Sequence, residues 1–248
     1  MIGSPENFHI TRTKLINILN KLSRNKLQIF LDKRVIRKNS NGQDSREFYV
    51  DWKTKNYNRI SVVNNMIANC TSDSKIRYLE IGCAGDKLFQ SVMADEKIGV
   101  DPFAGGTHRM TSDQFFDTDS SNFDVVFVDG LHEYNQVWKD VKNSLSQIPV
   151  GGYIGIHDML PRTWVEAHIP CLYDGPWAGD VWKLAFDLMD NPGIQFNILN
   201  IDHGVGVIKN IEENAELTLS SNFGSESYSF YADNRNKLPV IEFNEYNF

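Results

Sequence analysis

The chain has 248 residues, 41% hydrophobic and 23% charged, with 17 glycines, 8 prolines and 12% aromatic residues. That length can bury a sizeable core, and the composition excludes wholesale disorder, collagen-like repeats and low-complexity sequence. The net charge of -7 is uneven: residues 1–50 hold 10 Lys/Arg against 4 Asp/Glu, a balance of +6, which leaves -13 for the rest.

A basic N-terminal part can attract phosphates, although on a helix such residues more often make a solvated face. Cys70, Cys83 and Cys171 are widely spaced and odd in number. They supply neither a disulfide framework nor a CxxC metal pair, so a reducing, cytoplasmic setting is the expectation. No segment approaches the roughly 18 apolar residues of a membrane span, and no basic-then-apolar secretion signal opens the chain.

Residues 11–38 space Leu15, Ile18, Leu19, Leu22, Leu27, Phe30 and Leu31 by threes and fours, which predicts an amphipathic helical extension. The polar stretch Asn39–Glu47 reads as a linker. Three parts are therefore expected: a basic extension over 1–50, a core over 51–209 and an acidic, aromatic tail over 210–248.

Within the core a helical stretch from Asn58 to Asn69 precedes RYLEI, residues 77–81, a strand that runs into Gly82. The same grammar returns at KIGV before Asp101, at FDVVFV before Asp129 and at YIGI before His157. Between them Tyr134–Gln147 places Val137, Trp138, Val141 and Leu145 on one helical face. Phe196–Ile201 and Val205–Lys209 flank Asp202-His203-Gly204, a turn short enough for an antiparallel hairpin. Strands alternating with helices predict an α/β fold, a mostly parallel sheet covered on both faces. Such sheets bind ligands at the carboxyl ends of their strands.

The first strand leads into Glu80-Ile-Gly82-Cys-Ala-Gly85, and Asp101 ends the next strand 19 residues beyond Gly82. Glycines admit a ligand to the backbone, and a carboxylate at the second strand end can accept from ribose hydroxyls. No G-x-G-x-x-G, G-x-x-x-x-G-K-[ST] or G-x-S-x-G run exists, so pyrophosphate binding, phosphoryl transfer and serine hydrolysis lose support.

A second constellation joins Asp129 and His132, in DGLH, to His157 and Asp158 at the next strand end. One such residue alone would read as a helix cap, whereas four at adjacent strand ends favour a functional cluster. Trp164, His168, Tyr173, Trp177 and Trp182, among prolines and glycines, predict a lid over the cofactor. Asp180 reads as the cap of a helix beginning near Val181, and Phe103 and Phe115 are candidate neighbours of a nucleobase.

YLEIGCAGDKLF, IGVDPF, MTSDQFF, FDVVFVDGLHEYNQVWKDV and GGYIGIHDM resemble the class I S-adenosylmethionine-dependent methyltransferases over roughly residues 57–209. They are similar to a small group with D-G-x-H and H-D strand ends, the macrolide-sugar O-methyltransferases and cephalosporin-hydroxylase-like methyltransferases, which use a divalent metal. The resemblance implies a Rossmann-like class I sheet with an antiparallel C-terminal hairpin. It implies Glu80, Gly82 and Gly85 around the methionine part of the cofactor, Asp101 on its ribose and Asp113 near its adenine. It further implies Mg²⁺ or Mn²⁺ on Asp129, His157 and Asp158, with His132 as the base beside Asp129. The departure is the first loop, where the family's E-x-G-x-G-x-G keeps two glycines and Asp86 and Lys87 follow.

The implied activity is methyl transfer to a hydroxyl of a small molecule or saccharide, with no membrane partner. The opposite charges of the N-terminal part and the tail leave room for a homo-oligomer. Two alternatives stand beside it. One is a nucleic-acid methyltransferase using the basic extension, although DGLH replaces the N-P-P-[YF] tetrapeptide of many such enzymes. The other is a non-catalytic protein that binds S-adenosylmethionine.

Overall fold

The computed structural model describes residues 12–70, 75–217 and 223–248, without the side chains of 12–25. Leu15, Ile18, Leu19 and Leu22 fall outside the described side chains. The chain divides into two compact units, residues 1–42 with 172–175 and residues 43–171 with 176–248. In the first, α1 (Arg12–Asn39) runs for 28 residues without glycine or proline and ends in Arg37 and Lys38, whose charge suits the negative end of a helix.

The second unit is built on seven strands: β1 (Arg77–Ile81), β2 (Glu96–Val100), β3 (Val125–Val128), β4 (Tyr153–Ile156), β5 (Ile194–Leu199), β6 (Val205–Asn210) and β7 (Val240–Ile241). Their order across the sheet is β2-β1-β3-β4-β6-β5-β7. β2, β1, β3 and β4 run parallel, and β6 is antiparallel to both β4 and β5. The expected fold class is observed, with the hairpin where Asp202-His203-Gly204 predicts it.

Strand alternation sends successive side chains to opposite faces. Leu79, Ile81, Val126, Val128, Ile154 and Ile156 enter one core, and Tyr78, Val125, Phe127 and Tyr153 enter the other. Two short helices, α3 (Lys87–Ser91) and α4 (Ser112–Thr118), follow β1 and β2, and the first core is closed by α5 (Tyr134–Leu145) and α6 (Trp182–Leu188). Val137, Val141 and Leu145 of α5 are buried there, each worth about 1.5–3 kcal/mol relative to exposure. The second is closed by α2 (Arg59–Asn69), which starts where Asn58 accepts the Ile60 N–H at 2.9 Å and buries Val62, Val63, Met66 and Ile67.

Asp180 does not cap α6, whose N-cap is Val181 with no side-chain hydrogen bond. Its Oδ1 accepts the Tyr134 N–H at 2.6 Å at the start of α5, and its Oδ2 pairs with Lys183 at 2.9 Å. The helix that needed the cap lies 46 residues away in sequence, which local reading cannot register.

The sheet extends past residue 209. β7 pairs in parallel with β5, and α7 (Tyr228–Asn234) sends Phe230 against Phe186 and the fully buried Tyr231 against Trp182. The tail also packs on residues 46–57 of the same chain. Phe48 meets Tyr231 edge to face, Tyr57 stacks on Phe243, and Arg46–Asp233 and Lys55–Glu242 are ion pairs of 2.7 and 2.8 Å.

β1 lies between β2 and β3, so the connections leaving it diverge and open a crevice at the carboxyl edge. Gly82, Asp101, Asp129 and His157 each follow directly on a strand there.

Candidate active site

Two cavities open at this edge and share Gly82, Ala84, Asp129 and His132 in their walls. One, of about 580 Å³, is mainly apolar and runs past Val100, Asp101, Phe103, Ser112, Asp113 and Gln136. The other, of about 520 Å³, runs past Arg59, Glu80, Gly85, Lys87, His157, Asp158 and Asp202. All nine residues singled out by the sequence line one cavity or both.

The loop after β1 solves the missing-glycine problem in its own way. Gly82 is at φ +86°, and a Cβ there would lie 2.1 Å from the Asp129 carbonyl oxygen. Its glycine is required by the approach of the β3 end. Ala84 and Asp86, where the family pattern has glycines, keep left-handed φ values of +45° and +60°. Such a conformation costs a non-glycine residue about 1–2 kcal/mol, and two carboxylates hold it: Asp101 Oδ2 accepts the Ala84 N–H at 2.9 Å, and Asp86 Oδ1 accepts the Gly106 N–H at 2.6 Å. A Cβ on Gly85 would meet nothing within 4 Å.

Asp101 is 7% exposed. Burial raises its carboxyl, but the N–H groups of Ala104, Ala84 and Phe103 outweigh that and hold it below the usual carboxylate range. These N–H groups hold both of its oxygens in place in the cavity wall. Asp113 is half exposed, and its two oxygens accept from Gln136 Nε2 and Lys139 Nζ. Phe103 stands 91% exposed at the cavity rim, whereas Phe115 is core, 1% exposed against Phe123. Glu80 shares the Tyr78 face of β1 and accepts the Tyr78 hydroxyl at 2.6 Å; burial pushes it up to about 7 against that bond.

At the other end Asp129, His132, His157 and Asp158 converge. His157 Nδ1 lies 3.1 Å from Asp129 Oδ1 and 3.0 Å from Asp158 Oδ2. His132 Nδ1 lies 3.2 Å from Asp158 Oδ2, and its Nε2 lies 3.4 Å from Asp129 Oδ1. Asp129, His132 and Asp158 each offer a donor atom within 4.8 Å of the others, a grouping able to hold a metal ion. His157 is 5% exposed, and both its ring nitrogens are buried without a hydrogen-bond partner despite these short distances.

Burial disfavours the charged form of both histidines, yet the Asp129 and Asp158 carboxylates prevail and raise them above the ordinary value, His157 strongly. Asp129 moves in the opposite sense: burial raises it, and His157, His132 and Arg59 together lower it.

His132 is held from the far side by the segment before α6. Its Nδ1 is 2.8 Å from the Trp177 carbonyl oxygen, and the Trp177 ring stacks on it at 5.1 Å and 22°. Gly179, at φ +59°, leaves no room for a Cβ beside the His132 carbonyl oxygen. Trp177 thus covers His132, while Trp182 is 1% exposed in the core. Arg59 and Asp202, both in the wall beside Asp129, carry no motif in the sequence.

Residues 41–159 match the family model described as a methyltransferase domain. No curated protein matches. Among solved structures, the MycE methyltransferase of the mycinamycin pathway, in complex with Mg, SAH and mycinamycin VI, is 18% identical with a TM-score of 0.41; the match covers 62% of this chain and 48% of MycE, about half that enzyme's length. An rRNA methylase from Streptococcus thermophilus is 9% identical (TM-score 0.45, 64% of this chain, 100% of that one). The O-methyltransferase from Bacillus cereus in complex with SAH is 13% identical (TM-score 0.40, 62% of this chain, 89% of that one). Residues 41–159, just under half of the chain, are thus a methyltransferase domain set in this sheet.

Proposed function

We propose that the protein transfers the methyl group of S-adenosylmethionine to a hydroxyl of a small molecule or saccharide, assisted by Mg²⁺ or Mn²⁺. The observation that carries this reading is the hydrogen bond between His132 and Trp177. A backbone carbonyl only accepts, so Nδ1 holds a proton and the nitrogen that can exchange one is Nε2, beside Asp129 where the two cavities join.

In this reading the nucleoside occupies the apolar cavity, with Asp101 on the ribose and Asp113 near the adenine. The methionine part lies along Glu80, Gly82 and Gly85. The acceptor oxygen attacks the methyl carbon in line with the sulfonium. A C–O bond forms, the C–S bond breaks with its electron pair left on sulfur, and His132 Nε2 takes the hydroxyl proton. Trp177, half-buried over His132, presents a ring that suits a sugar or another amphipathic acceptor.

The donor set fits a divalent cation. Two carboxylates lie beside imidazoles, and His157 Nδ1 is buried between them without a hydrogen-bond partner. Spacings of 3.0–3.2 Å among these donors match adjacent ligands of a cation with bonds of about 2.1 Å. Asp129, Asp158 and a histidine would hold it, and when bound it would lower the pKa of an acceptor hydroxyl.

The test is methyl transfer before and after chelation. Activity should fall with chelator and return with Mg²⁺ or Mn²⁺. Activity indifferent to chelation would remove the metal from this account and leave His132 as the base.

A further inference from the structure

Arg59 and Asp202 belong to no motif and come from opposite parts of the chain, the first residue of α2 and the turn between β5 and β6. They meet beside the cluster. Arg59 Nε donates to Asp202 Oδ2 at 2.8 Å and its backbone N–H to the same oxygen at 3.2 Å. Its Nη1 donates to Asp129 Oδ2 at 2.5 Å.

That contact divides the Asp129 carboxylate. Oδ2 is taken by the guanidinium, and Oδ1 is left facing His157 Nδ1 and His132 Nε2. Asp202 acts on the histidine as well. Its Oδ1 lies 3.7 Å from His157 Nε2, on the side of the ring away from Asp129 and Asp158. At that distance the carboxylate acts by its charge and not by a hydrogen bond, and it favours the proton on Nε2 once a cation takes the Nδ1 side. The turn that delivers Asp202 is unusual: Asp202, His203 and Gly204 have φ values of +43°, +64° and +85°.

We propose that Arg59 and Asp202 are positioning residues of the carboxylate–histidine cluster: Arg59 selects the Asp129 oxygen that faces it, and Asp202 orients His157 Nδ1 into it. The inference rests on the metal reading of the site. The planar fork of arginine reaches both carboxylates from one side chain, which a lysine ammonium does not reproduce.

The experiment measures Mn²⁺ binding to the full chain by the EPR signal of free Mn²⁺, comparing wild type with Asp202→Asn, Arg59→Gln and Arg59→Lys. Asparagine keeps the shape of aspartate and tolerates left-handed backbone, so Asp202→Asn isolates the charge. Outer-shell losses of this kind weaken metal binding about 10- to 100-fold. That loss is expected for Asp202→Asn and Arg59→Gln, with incomplete recovery in Arg59→Lys. Should Asp202→Asn fail to fold by circular dichroism, the Arg59 pair decides. Variants that bind Mn²⁺ as tightly as a binding-competent wild type overturn the inference and leave the metal reading standing. A wild type that binds no Mn²⁺ overturns both.

Discussion

The two ends of the crevice are built differently. At the end proposed for the nucleoside, Gly82, Ala84, Asp86 and Asp101 lie on two consecutive strand-end loops, and backbone N–H groups fix both carboxylates. At the carboxylate–histidine end, Arg59, Asp129, His132, His157, Asp158 and Asp202 come from α2, two strand ends and a hairpin turn, and side chains hold one another. The first end is a backbone cradle that persists whatever its ligand. The second is a charge-balanced network in which each residue depends on its partners.

That difference sets which substitutions act locally. The largest expected effect is at the network end. His132→Ala removes the proposed base and should lower turnover about 10²- to 10⁴-fold in a methyl-transfer assay. Turnover within a few fold of wild type would mean that another group takes the proton.

At the cradle the first expectation concerns folding. Gly82→Ala forces a Cβ against the Asp129 carbonyl oxygen at a left-handed position, and overpacking with that strain should cost about 2–4 kcal/mol of stability in denaturant unfolding. Gly85→Ala meets nothing and should stay within about 0.5 kcal/mol of wild type. Equal destabilisation by the two would dissolve the distinction between a glycine demanded by the β3 end and one that leaves room for a ligand.

The smallest effect tests a residue outside both ends. Burial pushes Asp187 up to about 6, against the hydrogen bond it accepts from the Tyr134 hydroxyl. Its folded value exceeds the unfolded one, so its contribution is fully present below about 4 and is lost as pH rises through 6. Asp187→Asn should therefore raise stability by about 1–3 kcal/mol at pH 8 and give little gain at pH 4. Melting curves at the two pH values check the sign, and a loss at pH 8 would show that the Tyr134 bond outweighs the charge.

The same contrast decides what the sequence made legible. RYLEI before Gly82, KIGV before Asp101 and FDVVFV before Asp129 are contiguous patterns, and strands, hairpin and strand-end residues all fall where those patterns put them. α5 likewise buries the face predicted for it. What stayed hidden is contact across long separations: Asp180 capping a helix 46 residues earlier, Arg59 and Asp202 meeting across 143 residues, and a two-residue β7 too short to show a period. The left-handed backbone at Ala84 and Asp86 was also hidden, because neither residue type announces it.

Titration of S-adenosylhomocysteine into wild type, Asp101→Ala and His132→Ala tests the central claim most directly. Loss of the Asp101 carboxylate removes a charged acceptor and the tie to Ala84, so affinity should fall by about 1.5–3 kcal/mol, roughly 10-fold or more. His132→Ala should bind within a few fold of wild type. Binding unchanged in a folded Asp101→Ala, or lost in His132→Ala, would contradict the assignment of the nucleoside to the cradle and of the chemistry to the network.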